Sequence, residues 1–210
     1  MSKPIYAGMT KPVTQIEDGK YGAKLCQIVQ IGAQRFSKEG KEWFSPQIIV
    51  WFEIPGLTYE KDGEVFSQMK SGTYFLSLNP SRNGQMGLRE IIDSLRGNKE
   101  WTEEELEKFD ISQYLGKACL LTIASVESKG KSYLSITAIE PIDDAMVAGM
   151  REPVLITTED FRDIDNLNIP EWIKDKIRSS QEFMDMPKAA PINEQYQDDK
   201  EEIKIEDVPF

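Results

Sequence analysis

The pattern of apolar and polar residues in the first quarter of the chain predicts two β-strands joined by a polar turn. Residues 21–31 (YGAKLCQIVQI) and 42–54 (EWFSPQIIVWFEI) are rich in the β-branched and aromatic residues that favour strands. Between them, residues 37–41 are polar and include Gly40, which suits a tight turn. The two segments therefore predict a long hairpin, and Pro55-Gly56 is expected to end its second strand.

Three further strands are predicted downstream. Residues 57–71 are polar, with one weak strand around Val65-Phe66, and residues 72–79 (GTYFLSLN) predict the next full strand. Residues 117–126 and 132–140 flank a second polar turn and predict a final hairpin.

Helical signals lie between the third strand and this last hairpin. Apolar residues recur at helical spacing over residues 88–95, and Gly97 is expected to end that helix. Thr102 and Glu105 form a capping box that opens a short helix to about Phe109. Five strands with helices in this position are typical of a mainly β, five-stranded Greek-key barrel of the OB type. A β-sandwich is the alternative, although five strands are few for one.

Residues 143–184 are interpreted as a helical extension. Thr157 and Asp160 are predicted to cap a short helix, and Pro170 to begin another that runs to about Met184. Ile169, Ile173 and Ile177 fall on one face of the latter. The domain prediction is thus an N-terminal arm (1–18), an OB-type domain (19–142), this extension (143–184) and a disordered acidic tail (185–210).

The charge is unevenly distributed along the chain. Its net charge is −11, but residues 1–157 carry 18 Lys/Arg against 21 Asp/Glu, whereas residues 158–210 carry 7 against 15. The predicted barrel is therefore close to neutral, so a basic groove on it is compatible with the acidic total.

The residue types that the chain lacks exclude several kinds of chemistry. It has no histidine and only two cysteines, Cys26 and Cys119, both in apolar segments. Catalysis by a Ser-His-Asp triad is excluded, and neither a zinc site nor any other cofactor is expected. A magnesium-dependent nuclease stays open on composition alone. No apolar run is long enough for a membrane span and no signal peptide is recognisable, so the expected location is the cytoplasm.

The first hairpin carries residues suited to single-stranded nucleic acid. Alternation places Trp43, Gln47, Ile49 and Trp51 on one face of the second strand. Exposed aromatic rings on which bases stack, beside a positive groove, are typical of proteins that bind single strands. The candidate DNA-binding residues of this region are Lys24, Arg35, Phe36, Lys38, Lys41, Trp43, Gln47 and Trp51.

The second hairpin turn carries Lys129 and Lys131, followed by Tyr133. In an OB-fold this turn is expected beside the first hairpin turn, with both flanking the ligand face. The lysines are then predicted to contact phosphates.

The C-terminus has the features of a short linear motif. An acidic segment ends abruptly in Glu206, Asp207, Val208, Pro209 and Phe210. An apolar terminal ring with its carboxylate and two adjacent acids suits a hydrophobic pocket with a basic rim on a partner protein.

These last residues resemble the acidic tip of bacterial single-stranded DNA-binding proteins, which ends Asp-Asp-Asp-Ile-Pro-Phe. The body instead resembles bacteriophage-encoded single-stranded DNA-binding proteins. The matching segments are Gly19 to Gly32, Phe52 to Pro55, Ser94 to Gly97, Trp101 to Phe109 and Leu115 to Cys119. The resemblance implies an OB-fold protein that coats single-stranded DNA during phage replication, recombination or repair, in the host cytoplasm, with its tail docking replication or recombination enzymes.

We therefore expect a DNA-binding protein without enzymatic activity that binds single strands with little sequence preference and forms, as one option, a homo-oligomer. A strand-annealing recombination mediator is the nearest alternative. A protein–protein adaptor that binds no DNA, with Trp43 and Trp51 buried in an oligomer interface, is the alternative from another class.

Overall fold

Five long antiparallel strands dominate the computed structural model, which describes residues 15–81, 86–128, 130–147 and 151–187. The strands are β1 (Gly19–Lys38), β2 (Lys41–Lys61), β3 (Glu64–Phe75), β4 (Ala118–Ser128) and β5 (Lys131–Pro141). They form one sheet in the order β3-β2-β1-β4-β5 that curls into a half-barrel. The outer strands approach each other where Lys70 Nζ on β3 donates to the Leu134 carbonyl on β5 at 2.6 Å. The mainly β prediction is confirmed.

The second strand differs from its prediction because Pro55-Gly56 does not end it. The pairing of β2 with β3 jumps from Ile54–Gln68 to Thr58–Ser67, so residues 55–57 bulge out and β2 continues to Lys61. Proline has no N–H to donate to the ladder and is tolerated at such a bulge. The polar segment 57–71 is thus mostly strand, and the third strand ends at Phe75 instead of running to Asn79.

The inner face of the curled sheet holds the main hydrophobic core. Ile48, Val50 and Phe52 on β2 point into it and are buried. Helix α1 (Leu88–Leu95) covers this core with Leu88 and two isoleucines, as its apolar spacing predicts. The chain leaves the helix through Gly97, whose φ of +71° lies in the left-handed region that glycine adopts without strain.

A cluster of stacked side chains fixes the segment after α1. The Trp101 ring lies beneath the guanidinium groups of Arg89 and Arg96, whose central carbons are 4.6 and 3.9 Å from its centroid. Arg96 also bonds to Glu105 at 3.0 and 3.1 Å. Thr102 and Glu105 form the predicted capping box, and the helix they open, α2, spans Glu103–Glu107.

The extension packs on the outer face of the sheet. Strand β6 (Val154–Ile156) runs parallel to β1, a 3₁₀ segment covers Thr158–Asn166, and helices α3 (Glu171–Arg178) and α4 (Gln181–Met184) follow. Thr157 and Asp160 form the capping box that the sequence predicts. The single helix predicted up to Met184 is instead broken at Ser179-Ser180, where the Ser180 hydroxyl accepts from the Phe183 N–H and caps α4.

A second hydrophobic core lies between the extension and the sheet. The buried residues are Val29, Ile31 and Ile49 from the sheet and Ile156, Phe161, Ile164, Ile169, Ile173 and Ile177 from the extension. Both faces of β2 are therefore covered along Ile48–Ile54, which explains why this segment is apolar except for Glu53, a buried carboxylate paired with Arg151.

Gly32 marks the place where the extension approaches the sheet most closely. Its φ is +71°, and a Cβ there would lie 2.6 Å from atoms of Ser180 and Glu182. The neighbouring Ala33 N–H donates to Glu182 Oε2 at 2.7 Å. No helix in the described part of the chain is long and apolar enough to cross a membrane.

Candidate nucleic-acid interface

Three aromatic rings meet on the outer face of the sheet, near the β1–β2 turn. The register pairs Phe36 with Trp43 and Gln47 with Phe75, and alternation puts all four on that face. The Phe36 and Trp43 rings stack with centroids 5.8 Å apart and planes at 20°, and Phe75 lies 5.4 Å from Phe36. We call Phe36, Trp43 and Phe75 the aromatic cluster.

The aromatic cluster is open to solvent. Trp43 is 45% exposed and Phe75 is 50% exposed, although both are large apolar side chains in regular strands. Such rings lie on three neighbouring strands and form a surface on which bases can stack. The sequence predicts Phe36 and Trp43 for this site, but it misses Phe75, because only the pairing of β3 with β2 brings that ring to the cluster.

The positive charge around the aromatic cluster is smaller than the sequence suggests. Arg35 pairs with Glu42 at 2.5 Å, and Lys38 lies 3.9 Å from Glu39. Within the described residues Lys41 has no ion pair. The turn therefore combines three cations with two carboxylates, and its net charge is weakly positive.

Trp51 does not share the open surface of Trp43, which corrects the prediction of one face with two exposed tryptophans. It lies on the same side of β2, but eight residues along a strand correspond to about 26 Å. It packs against the second core beneath the extension, and its indole Nε1 has no hydrogen-bond partner among the described residues. Gln47, between the two tryptophans, is half-buried.

Lys24 lies far along β1 from the aromatic cluster. It pairs in register with Glu53 on one side and Ala118 on the other. The pKa of the nearby Asp144 is held below its ordinary value, chiefly because its carboxylate accepts the Ala118 N–H and bonds Lys117, with Lys24 adding a smaller electrostatic effect. The structure thus associates Lys24 with an acidic group instead of with the aromatic rings.

The second hairpin turn lies at the opposite end of β1 from the first. Strand β4 pairs Ile123 with Gly19 and then continues beyond the beginning of β1, whereas the β1–β2 turn follows Lys38. The curl of the sheet nevertheless brings Val126 and Leu134, close to the second turn, to one cleft with Tyr74 of β3. The expectation that the two turns flank one face stays a prediction. Lys131 and Tyr133 are exposed near this second turn, and Lys129 lies outside the described residues.

The two thiols are buried and poorly disposed to react. Burial raises the pKa of Cys26 to about 11 and that of Cys119 to about 12. Since the thiolate is the reactive form, both act as small apolar core residues. No set of three or more Cys, Asp or Glu residues in the described ranges is arranged to hold a metal ion.

The proposed partner motif, residues 206–210, lies outside the described residues. Comparisons with protein-family models and with curated proteins found no match to this chain.

Proposed function

We propose that this protein is an OB-type barrel that binds single-stranded DNA with little sequence preference. The observation that carries the proposal is the aromatic cluster: three rings from three neighbouring strands, with Phe36 in contact with the other two, which are each about half exposed. Burial of such rings in the barrel would be favourable, so their exposure calls for a partner that covers them.

The OB assignment is supported by the order of elements. The sheet runs β3-β2-β1-β4-β5, α1 lies between β3 and β4 in sequence, and it packs on the inner core. The Lys70–Leu134 hydrogen bond brings β3 to β5, the two strands that close a barrel of this order.

Base stacking is proposed to supply most of the binding free energy. Each base that stacks on an aromatic ring contributes about 1–3 kcal/mol, and this contribution tolerates sequence because every base has a π-face. Phosphate contacts would come from Lys38, Lys41 and, where a phosphate displaces Glu42, Arg35. Three such contacts give a slope of about −2 in log affinity against log salt, at about 0.7 per phosphate for single strands.

The C-terminal residues are proposed to recruit partner proteins. Deleting Phe210 alone should abolish docking of a replication or recombination enzyme and leave DNA affinity unchanged, since the ring and its carboxylate form the proposed contact. The measurement is pull-down of phage or host proteins with the full chain and the Phe210-deleted chain. Equal recovery of partners would contradict the motif.

A protein-interaction module is the second candidate. Leu76, which directly follows Phe75, is also exposed, and Arg35 is paired with Glu42. A patch of this kind also suits a protein interface, including one between two copies of the chain.

One titration separates the two candidates. Fluorescence anisotropy is measured with labelled oligo-dT and with a duplex of equal length, each at two salt concentrations, alongside light scattering of the free protein. The proposal predicts tight binding to oligo-dT, much weaker binding to duplex, and a shallow negative salt slope. A stable oligomer with no response to oligo-dT would favour the interaction module.

A further inference from the structure

A cavity of about 610 Å³ lies between the outer face of the sheet and the extension. Its sheet side is formed by residues that include Gln27, Trp51 and Met69, and its other side by residues that include Asp160 and Asn168. The volume falls within the range of about 300–1,000 Å³ typical of small-ligand sites. The cavity exists only because the extension is docked on the sheet.

Two side-chain amides on the lining are free to bond a ligand. Within the described ranges neither Gln27 nor Asn168 makes a side-chain hydrogen bond, although both line the cavity. A side-chain amide offers donors and an acceptor together, which matches the edge of a nucleobase. The Trp51 ring and the Met69 side chain supply an apolar surface beside them, as in pockets that hold an unstacked base.

The charge of the lining favours a neutral ring over a phosphate. Among its described lining residues the one cation is Arg151, which already binds the buried Glu53. The Arg151 backbone N–H donates to Glu53 Oε2 at 2.8 Å, and its side-chain Nε lies 3.6 Å from Oε1. Glu152 and Asp160 add two carboxylates to the lining. Carboxylates repel phosphate but accept hydrogen bonds from the exocyclic amino groups of cytosine, adenine and guanine, which thymine lacks.

Strand β3 connects this cavity to the aromatic cluster. Phe75, Thr73, Ser71 and Met69 alternate along the outer face of β3, opposite Gln47, Ile49, Trp51 and Glu53 of β2. The path from Phe75 to Met69 covers about 20 Å at about 3.4 Å per residue. The middle positions of this path, Thr73 and Ser71, have small polar side chains, so a single DNA strand can pass over them.

We propose that the cavity holds one amino-bearing nucleobase of a DNA strand that follows β3 away from the aromatic cluster, with the phosphates outside. This inference rests on the proposed function. It adds one position of base preference to a protein that otherwise stacks bases without regard to sequence.

Photochemical crosslinking locates the base. A set of oligo-dT strands, each with 5-iodo-deoxycytidine at a single position, is bound to the full-length protein and irradiated, and the crosslinked peptides are identified by mass spectrometry. One position should crosslink to the peptide of Trp51 or Met69, and other positions to that of Trp43 or Phe75. Binding with crosslinks at the aromatic cluster alone would overturn the cavity proposal and leave the proposed function standing. The absence of oligo-dT binding would overturn both.

A pair of variants tests the hydrogen bonding. Asn168→Leu removes the free amide at an exposed position, so the variant should still fold. The native protein should bind oligo-dT that carries deoxycytidine at the preferred position more tightly than all-dT, and the variant should reduce this affinity ratio about fivefold. Asn166→Leu is the control, because the Asn166 amide also borders the cavity but already donates to Asp163. An unchanged ratio in Asn168→Leu, or an equal loss in both variants, would overturn the assignment.

Discussion

Replacing Trp43 by alanine separates a binding role from a structural one. Trp43 is 45% exposed, and its described ring contact is the stack on Phe36. Because Trp43 is only about half buried, Trp43→Ala should cost less stability than the loss of a fully buried ring, even though an aromatic pair adds about 0.5–1.5 kcal/mol beyond its buried area. By contrast, Phe52 is fully buried in the inner core, and Phe52→Ala should cost about 3–5 kcal/mol.

Trp43→Ala should weaken binding in a protein that still folds. Loss of one stacked base costs about 1–3 kcal/mol. Since about 1.4 kcal/mol is a factor of ten, the dissociation constant for oligo-dT should rise about five- to 140-fold. The assay is an anisotropy titration of each variant, with the free energy of unfolding measured by urea denaturation of the same samples.

Trp172→Ala is the matched control. Trp172 is also 45% exposed, but it lies on α3, outside the aromatic cluster. The Trp172→Ala variant loses the same type of side chain at the same exposure, and its dissociation constant for oligo-dT should be unchanged. The reasoning is refuted if Trp43→Ala binds oligo-dT as tightly as the native protein, or if both variants weaken binding equally.

Three further predictions concern the packing and its titration. Gly32→Ala should make the extension susceptible to limited proteolysis, because its Cβ would clash with Ser180 and Glu182. Gly40→Ala is the control, since Gly40 has a similar positive φ but its Cβ would have no heavy atom within 4 Å. Equal proteolysis of both variants would contradict the close contact at Gly32. Hydrogen bonds from Arg96 hold the pKa of Glu105 below its ordinary 4.5, so stability that is present above pH 4.5 should be lost as the pH falls below it. In thermal melts Glu105→Gln should lose less stability over that range, and an unchanged pH dependence would count against the pair. Neither Cys26 nor Cys119 should react quickly with a thiol reagent at pH 8 until the protein is denatured, and a fast-reacting thiol in the native state would show that its burial is wrong.

The local elements of the fold were predictable from the sequence because short-range signals determine them. Helix α1 follows from its apolar spacing and from Gly97, and the capping box at Thr102 places the start of α2. The hairpin of β1 and β2 follows from two strand-forming segments around a polar turn. In each of these, a few neighbouring residues carry the whole signal.

The outer part of the β2–β3 hairpin was missed because it buries little. Residues Lys61 to Val65 are exposed, so no alternation of apolar and polar residues marks them as strand. This outer part of the hairpin is held instead by the backbone pairing of β2 with β3 on either side of the Asp62-Gly63 turn, in which both residues have positive φ. Hydrophobic pattern alone gives no such signal.

The candidate site was only partly predictable, because it depends on contacts between distant segments. Alternation correctly places Trp43 and Trp51 on one side of β2. It carries no information about the extension, which covers Ile49 and leaves Trp51 against the second core. Phe75 joins the aromatic cluster through a strand pairing that the sequence does not specify.

The most direct test of the central claim is fluorine NMR of the protein labelled with 5-fluorotryptophan. Its four tryptophans, Trp43, Trp51, Trp101 and Trp172, give four resonances that single substitutions assign. Oligo-dT should shift or broaden the Trp43 resonance and leave those of Trp101 and Trp172 in place, whereas duplex DNA at the same concentration should change none. A Trp43 resonance that stays unchanged at saturating oligo-dT would contradict single-strand binding at the aromatic cluster.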